Sequence, residues 1–168
     1  IDGTTLSGPM VSSDRSWQWE LSRSEGSWKP AIPSQTRRKR PGLQGPIDDA
    51  FMSTFLFVLP SGRSDDPTVQ DWVTQESKHA RNHWRKHVRG DIQQTEDRDV
   101  TAQDSSSCNL ILFGDPTSNS FLKRIESELP VKWKQEEIAI GNQSVPRQGH
   151  VPVMIFPNPL NPNRYVVI

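Results

Sequence analysis

The segment Gly114-Asp115-Pro116-Thr117-Ser118-Asn119 is the strongest candidate for a functional site. It follows the apolar run Asn109–Phe113, typical of a buried strand, and precedes a helical pattern. Ligands of open α/β sheets bind at the carboxyl ends of strands, and helix N-termini favour anions. We therefore predict that Asp115, Ser118 and Asn119 contact a ligand or a neighbouring domain. Ordinary turn and capping chemistry is the alternative.

A second candidate surface is the loop Pro157–Arg164, rich in proline and asparagine. Its polar side chains Asn158, Asn161 and Arg164 are predicted to bind a ligand or an interface. The loop precedes the apolar run Tyr165–Ile168 and is placed to join a hairpin. If both candidate loops face one active site, changing them should lower activity without unfolding the protein.

The adjacent carboxylates Asp48 and Asp49 form a third candidate, for cation binding or acid–base chemistry. Neighbouring side chains on an extended chain point apart, and hard cations need more oxygen ligands. The alternative is a tight loop in which one of the two carboxylates caps a short turn.

Other chemistry-bearing residues match no complete motif. His79, His83 and His87 share one helical face, where two imidazoles could hold zinc, but the surrounding residues favour a basic, solvated face. A Cys108–His150 pair is conceivable, although a buried structural thiol is the default interpretation of Cys108. The chain has no GxSxG, GK[ST] or GxGxxG motif. We predict no catalytic residue, no metal and no cofactor.

The pattern of elements around these residues predicts an α/β domain. Apolar runs predict strands at 55–59, 109–113 and 151–156. Asp66-Pro67 predicts the start of a long helix that stops at Gly90, with an apolar stripe of Val69, Trp72, Val73, Ala80, Trp84 and Val88. A second helix, capped by Thr117 or Ser118, carries Phe121, Leu122, Ile125 and Leu129.

This alternation predicts a three-layer α/β sandwich, flavodoxin-like, with a mostly parallel sheet and an antiparallel strand at its end. Residues 91–107 are predicted to form a loop with a short strand near Val100. Short edges are predicted at 131–133 and 138–141.

Three regions are predicted along the 168 residues. Residues 1–30 form a small β-element with a strand over Trp17–Leu21 and its tryptophans buried. Residues 31–46 form a proline-rich linker around the basic run Arg37–Arg40. Residues 47–168 form the α/β domain, truncated inside its last apolar run.

The formal net charge is zero, so nucleic acid is not predicted as a partner. The sequence has one cysteine, which excludes an intrachain disulfide, and no apolar run of membrane-spanning length.

Three phrases carry a resemblance to a known family: residues 39–51, residues 114–119, and His150-Val151-Pro152 leading to Pro157–Pro162. Together they resemble the C-terminal region of large bacterial, planctomycete-type prolyl-oligopeptidase-like or esterase-like α/β-hydrolase proteins. The resemblance covers about residues 39–168. It implies an upstream catalytic domain in the same chain and a periplasmic or secreted location, and no catalytic residue of the family maps onto this segment.

Three functional hypotheses follow. The first is an accessory, non-catalytic domain of a larger serine hydrolase that shapes substrate access. The second is a carbohydrate- or peptide-binding module that uses Trp17, Trp19 and Trp28 as a stacking platform. The third is a small independent enzyme using Asp115, Asn119 or Cys108.

Overall fold

The computed structural model describes residues 2–17, 19–31 and 42–168. The chain divides into two compact units, Ile1–Arg37 and Arg38–Ile168. The basic run Arg37–Arg40 and most of the predicted linker lie outside the described residues.

The described part of the first unit contains one antiparallel hairpin, β1 (Leu21–Ser24) and β2 (Ser27–Pro30). Glu25 and Gly26 connect the strands with φ values of 52° and 78°. Positive φ at both positions of a two-residue loop matches the twist of a hairpin. Of the strand predicted over residues 17–21, the described residues Trp17, Trp19 and Glu20 are not in a strand, because the pairing begins at Leu21.

The described part of the second unit contains eight strands and three α-helices. The strands are β3 (Phe55–Leu59), β4 (Gln94–Glu96), β5 (Asn109–Leu112), β6 (Val131–Trp133), β7 (Glu137–Ile140), β8 (Gln143–Pro146), β9 (Ile155–Asn158) and β10 (Asn161–Val167). The helices are α1 (Pro67–Val88), α2 (Ala102–Ser107) and α3 (Ser120–Ile125). Short 3₁₀ helices cover Ile47–Phe51, Asp97–Asp99 and Glu126–Glu128.

Five strands form a mixed sheet in the order β4-β3-β5-β10-β9. β4, β3, β5 and β10 are parallel, and β9 is antiparallel to β10. The unit is therefore α/β with a mostly parallel sheet and an antiparallel edge. Strands β6, β7 and β8 form a separate antiparallel sheet.

The antiparallel edge is not the last strand of the chain. β10 pairs with β5, and the hairpin places β9 outside it. The buried Tyr165, Val166 and Val167 suit this interior position. Pro157 lacks the N–H that an interior strand would need, so β9 suits the edge. The strand predicted at 151–156 begins only at Ile155.

The loop predicted over residues 91–107 is wrong, because the region forms β4, a 3₁₀ turn and α2. Their sequences are polar and show no apolar periodicity. α2 is fixed by a capping box in which Thr101 and Asp104 bond each other's backbone N–H. That Thr-x-x-Asp spacing is a sequence signal that predicts a helix start.

The sheet carries an apolar cluster on each face, as the continuous apolar run of β3 predicts. Leu56 and Val58 join one cluster with α3, and Phe57 joins the other. Leu43 is 5% exposed and belongs to the second cluster. One residue of the predicted linker, Leu43, therefore packs in the core of the second unit.

Helix α1 begins as predicted, with the Asp66 carboxylate accepting the Thr68 and Val69 N–H groups. The helix ends at Val88. Its C-cap residue, Arg89, adopts a left-handed φ of 59° and lies one residue before Gly90, where the sequence predicts the stop. Val69 and Val73 are buried, whereas Trp72 and Val88 are exposed. Only part of the predicted apolar stripe is therefore buried from solvent. None of the described helices is long and apolar enough to cross a bilayer.

Candidate functional site

Four parallel strands bring their carboxyl ends to one edge of the sheet, which we call the carboxyl edge. Two buried carboxylates lie there, Asp97 after β4 and Asp115 after β5. The loop after β3, residues 60–66, lies between them, because β3 is flanked by β4 and β5. This is the position at which α/β sheets commonly bind ligands.

The Asp115 carboxylate is fully engaged by its own loop and by the loop after β3. The Ser64 hydroxyl donates to Oδ2 at 2.7 Å. Oδ1 accepts the Thr117 hydroxyl at 2.7 Å and the Ser118 N–H at 2.9 Å. The pKa of Asp115 is lower than its usual value. Burial is the largest single influence and raises the pKa, but the hydrogen bonds from Ser64, Thr117 and Ser118 together outweigh it.

Asp97 makes the corresponding connection on the other side of β3. Its Oδ1 accepts the Ser61 N–H at 2.7 Å, and its Oδ2 accepts the N–H of Ser120, the first residue of α3. Burial acts most strongly on the pKa of Asp97 and raises it, whereas the bonds from Ser120 and Ser61 lower it below its usual value. One carboxylate therefore ties β4, the loop after β3 and α3 together.

Asn119 and Ser118 complete the turn into α3. The Asn119 side chain accepts the Leu122 N–H at 2.9 Å and donates to the Phe113 carbonyl at 2.8 Å. Asn119 is thus the helix cap, and the predicted cap at Thr117 or Ser118 is wrong. The Ser118 hydroxyl oxygen instead accepts the Asp115 N–H, with an N–O distance of 3.0 Å.

Close backbone packing requires glycine at two positions here. A Cβ on Gly114, whose φ is 106°, would lie 2.6 Å from the Ser118 hydroxyl oxygen. A Cβ on Gly62 would lie 2.9 Å from the Ser118 carbonyl oxygen, which accepts the Gly62 N–H. Both loops are therefore packed directly against each other.

A third loop, residues 147–150, contacts the same edge. The Arg147 guanidinium lies 3.9 Å from Asp115 Oδ2 and 3.8 Å from Asp65 Oδ2. The Gly149 N–H donates to Asp66 at 2.8 Å. The sequence pattern does not reveal Asp97 or Arg147, because β4 is polar and lacks apolar periodicity, and Arg147 approaches from a distant segment.

These contacts define the chemistry of the carboxyl edge. Asp115, Ser118 and Asn119 are 7%, 3% and 0% exposed, and their polar atoms bond neighbouring loops. The predicted residues do come together, but as a hydrogen-bonded cluster that joins loops. Their geometry matches the alternative of turn and capping chemistry.

The second predicted loop lies at the opposite end of the sheet. Asn161 begins β10, which is parallel to β5, and its amide donates to the Ser106 carbonyl at 3.0 Å. Asn158 is buried in β9, and Arg164 is half-buried in β10. The structure therefore does not bring the two candidate loops to one surface.

The Asp49 carboxylate bonds a tyrosine hydroxyl. Its Oδ2 accepts the Tyr165 hydroxyl at 2.6 Å, and that hydroxyl accepts the Gly45 N–H at 3.1 Å. Burial and the Asp49 carboxylate raise the pKa of Tyr165. Asp48 is exposed, and neither carboxylate caps the 3₁₀ helix, so the predicted capping role is wrong.

The histidines lie apart from this cluster. His79, His83 and His87 are exposed on α1, with ring centroids 5.9 and 4.2 Å apart. In the described ranges, no group of three or more His, Cys, Asp or Glu side chains could hold a metal ion. Cys108 is buried at the amino end of β5, whereas His150 belongs to the loop at the carboxyl edge. The structure does not bring these two together.

The tryptophans of the first unit are less buried than predicted. Trp17 is 60% exposed and meets Trp19 edge to face at a centroid distance of 6.3 Å. Trp28 is half-buried and donates from its indole N–H to Asp2 at 2.8 Å. The prediction of burial is wrong for Trp17.

Comparison of the chain with protein-family models, with curated proteins and with solved structures gives no match.

Proposed function

We propose that residues 42–168 form an accessory, non-catalytic domain of a larger serine hydrolase of the prolyl-oligopeptidase-like or esterase-like type. In this proposal the domain is a flavodoxin-like three-layer sandwich, and the catalytic domain lies upstream in the same chain. The natural protein is then periplasmic or secreted. The family part of the proposal is supported by the phrases at 39–51, 114–119 and 150–162.

One observation favours the accessory role over an independent enzyme. The side chains best suited to chemistry at the carboxyl edge are buried and bonded to neighbouring loops. A catalytic nucleophile must reach a substrate and have a base within hydrogen-bond distance. Among the described residues, the only carboxylate that the Ser64 hydroxyl bonds is Asp115, whose pKa is held below its usual value, so that carboxylate is a weak base for activating a hydroxyl. A rigid edge of this kind suits a surface that borders an active site.

The exposed Trp17 gives some support to the binding-module hypothesis, because an exposed indole ring can stack on a sugar. We prefer the accessory role because it assigns a function to the larger, second unit, whereas Trp17 belongs to the smaller, first unit.

A charge reversal at Asp65 tests whether the carboxyl edge shapes substrate access. Asp65 is 76% exposed, so Asp65→Lys changes the surface charge without breaking the bonds to Asp115. In the full natural protein, kcat/KM for charged peptide or ester substrates is expected to change about threefold or more, because surface charge steers association. Turnover of a small neutral ester should not change.

Asp91→Lys is the matched control, since Asp91 is 81% exposed before β4, at the opposite end of the sheet. Its surface ion pair with Arg85 contributes little. Identical kinetics for wild type, Asp65→Lys and Asp91→Lys across all substrates would contradict a role of this edge in access.

A further inference from the structure

A groove of about 390 Å³ is lined by residues of α2, of α3 and of the start of β10. Its lining includes Val100, Ser105, Ser106, Arg124, Leu160 and Asn161. The volume falls in the range of small-molecule sites. The lining combines apolar walls with hydroxyl, amide and guanidinium groups, as ligand sites do.

Two buried polar groups, one lining this groove and one bonded to a residue that lines it, have no hydrogen-bond partner in the described part of the chain. One is the hydroxyl of Ser105, a residue that is 6% exposed and lines the groove. The other is the amide nitrogen of Asn158, whose oxygen accepts the N–H of the groove residue Leu160. Buried polar groups are nearly always bonded, so a missing acceptor indicates a missing partner.

The groove also carries a fixed positive charge. The Arg124 guanidinium lies 4.5 Å from the centre of the Phe121 ring, and Phe121 is buried in the core. Stacking on an anchored ring restricts the guanidinium, which lowers the entropy lost when it binds an anion. The other wall is apolar, formed by Val100 and the half-exposed Leu160.

We propose that this groove binds a carboxylate ligand that carries a short apolar group. Arg124 bonds the carboxylate, the Ser105 hydroxyl rotates to donate to it, and Val100 and Leu160 contact the apolar part. Donors dominate the available polar groups, which favours an acceptor-only ligand such as a carboxylate. A peptide C-terminus and a free organic acid share this chemistry. The inference does not depend on the hydrolase proposal.

The test is a titration of the full 168-residue chain with N-acetyl-leucine, followed by the backbone N–H resonances of Ser105, Ser106 and Leu160. A ligand of this size should bind with a Kd of about 1 mM. N-acetyl-leucinamide, which lacks the carboxylate, should cause no shift at the same concentration. Shifts of equal size with the amide, or none with the acid, would overturn the proposal.

Two variants connect the binding to the named groups. Arg124→Gln should weaken binding about tenfold or more, because it removes a charge-assisted bond. Ser105→Ala should weaken binding while leaving Tm unchanged or slightly raised, since it removes a hydroxyl that has no partner. Lys123→Gln, at the neighbouring exposed position, is the control and should bind as wild type. Wild-type affinity in both Arg124→Gln and Ser105→Ala would overturn the proposed site.

The source of the carboxylate is tested with isovalerate and with an acetylated tripeptide ending in leucine. Tighter binding of the tripeptide supports recognition of a chain terminus, and equal binding supports a small acid. Binding of neither ligand would contradict the proposal.

Discussion

Asp115→Ala is expected to lower the free energy of unfolding by about 3 kcal/mol, because it leaves several buried or partly buried donors without an acceptor. Those donors come from Ser64, Thr117 and Ser118, so the substitution separates the loops after β3 and β5. Urea unfolding monitored by circular dichroism would measure the loss. Asp65→Ala, at a neighbouring exposed carboxylate, is the control and should change stability by less than about 0.5 kcal/mol.

The effect of Asp115→Ala should also depend on pH. The folded-state pKa of Asp115 lies below 3.8, so its carboxylate stabilises the fold fully above that pH. The contribution is lost as the pH falls through the lower, folded-state pKa. The stability difference between wild type and Asp115→Ala should therefore narrow in acid. A full-sized difference at neutral pH that vanishes already at pH 6 would contradict this assignment, as would no difference at any pH.

This prediction replaces an expectation from the sequence. Substituting the strand-end loop was expected to lower activity without unfolding the protein. Because Asp115 and Asn119 are buried and bond backbone groups of their own and neighbouring elements, loss of activity in such variants would first report loss of structure. Exposed positions such as Asp65 are better probes of substrate access.

Asp97→Ala is expected to cost about 2–3 kcal/mol, since two backbone N–H groups lose a charged acceptor. Ser61 N–H and Ser120 N–H belong to the loop after β3 and to α3, and Asp97 is 3% exposed. Amide hydrogen exchange should become faster in both segments, with the midpoint of urea unfolding reduced.

Asp99→Ala is the matched control, because Asp99 is an exposed carboxylate in the same 3₁₀ helix. Equal stability of Asp97→Ala and Asp99→Ala would show that Asp97 does not connect these elements.

Much of the fold was predictable because its interior strands are continuous apolar runs. β3 and β5 are buried on both faces, and such a run indicates a strand inside a parallel sheet. The long helix was predictable from Asp66-Pro67, a cap followed by proline at the first helical position. Local chemistry determines these elements, so a single sequence is enough to predict them.

The elements that were missed depend on distant partners. β4 consists of Gln94, Thr95 and Glu96, and its strand form follows from pairing with β3 rather than from its own propensity. The position of β10 between β5 and β9 likewise depends on pairing with strands that are distant in sequence or on the far side of a hairpin. Strand order is not encoded in periodicity, so the end of the chain could not be assigned to the sheet interior.

The residues of the candidate site likewise include some that local sequence predicts and others that depend on distant pairing. Asp115, Ser118 and Asn119 were predictable as a group because they follow one strand. Asp97 was not predicted, because its strand was not predicted. The separation of Asn161 from Asp115 depends on the parallel pairing of β10 with β5, which no local pattern indicates.

Active-site labelling of the full natural protein with a fluorophosphonate tests the central claim most directly. This reagent reacts with activated serines, and mass spectrometry identifies the modified residue. The account predicts labelling at a serine outside residues 1–168, with labelling and ester hydrolysis unaffected by Cys108→Ala. A label on any serine within this sequence would contradict the account, and a label on Ser64 or Ser118 would make the carboxyl edge an active site.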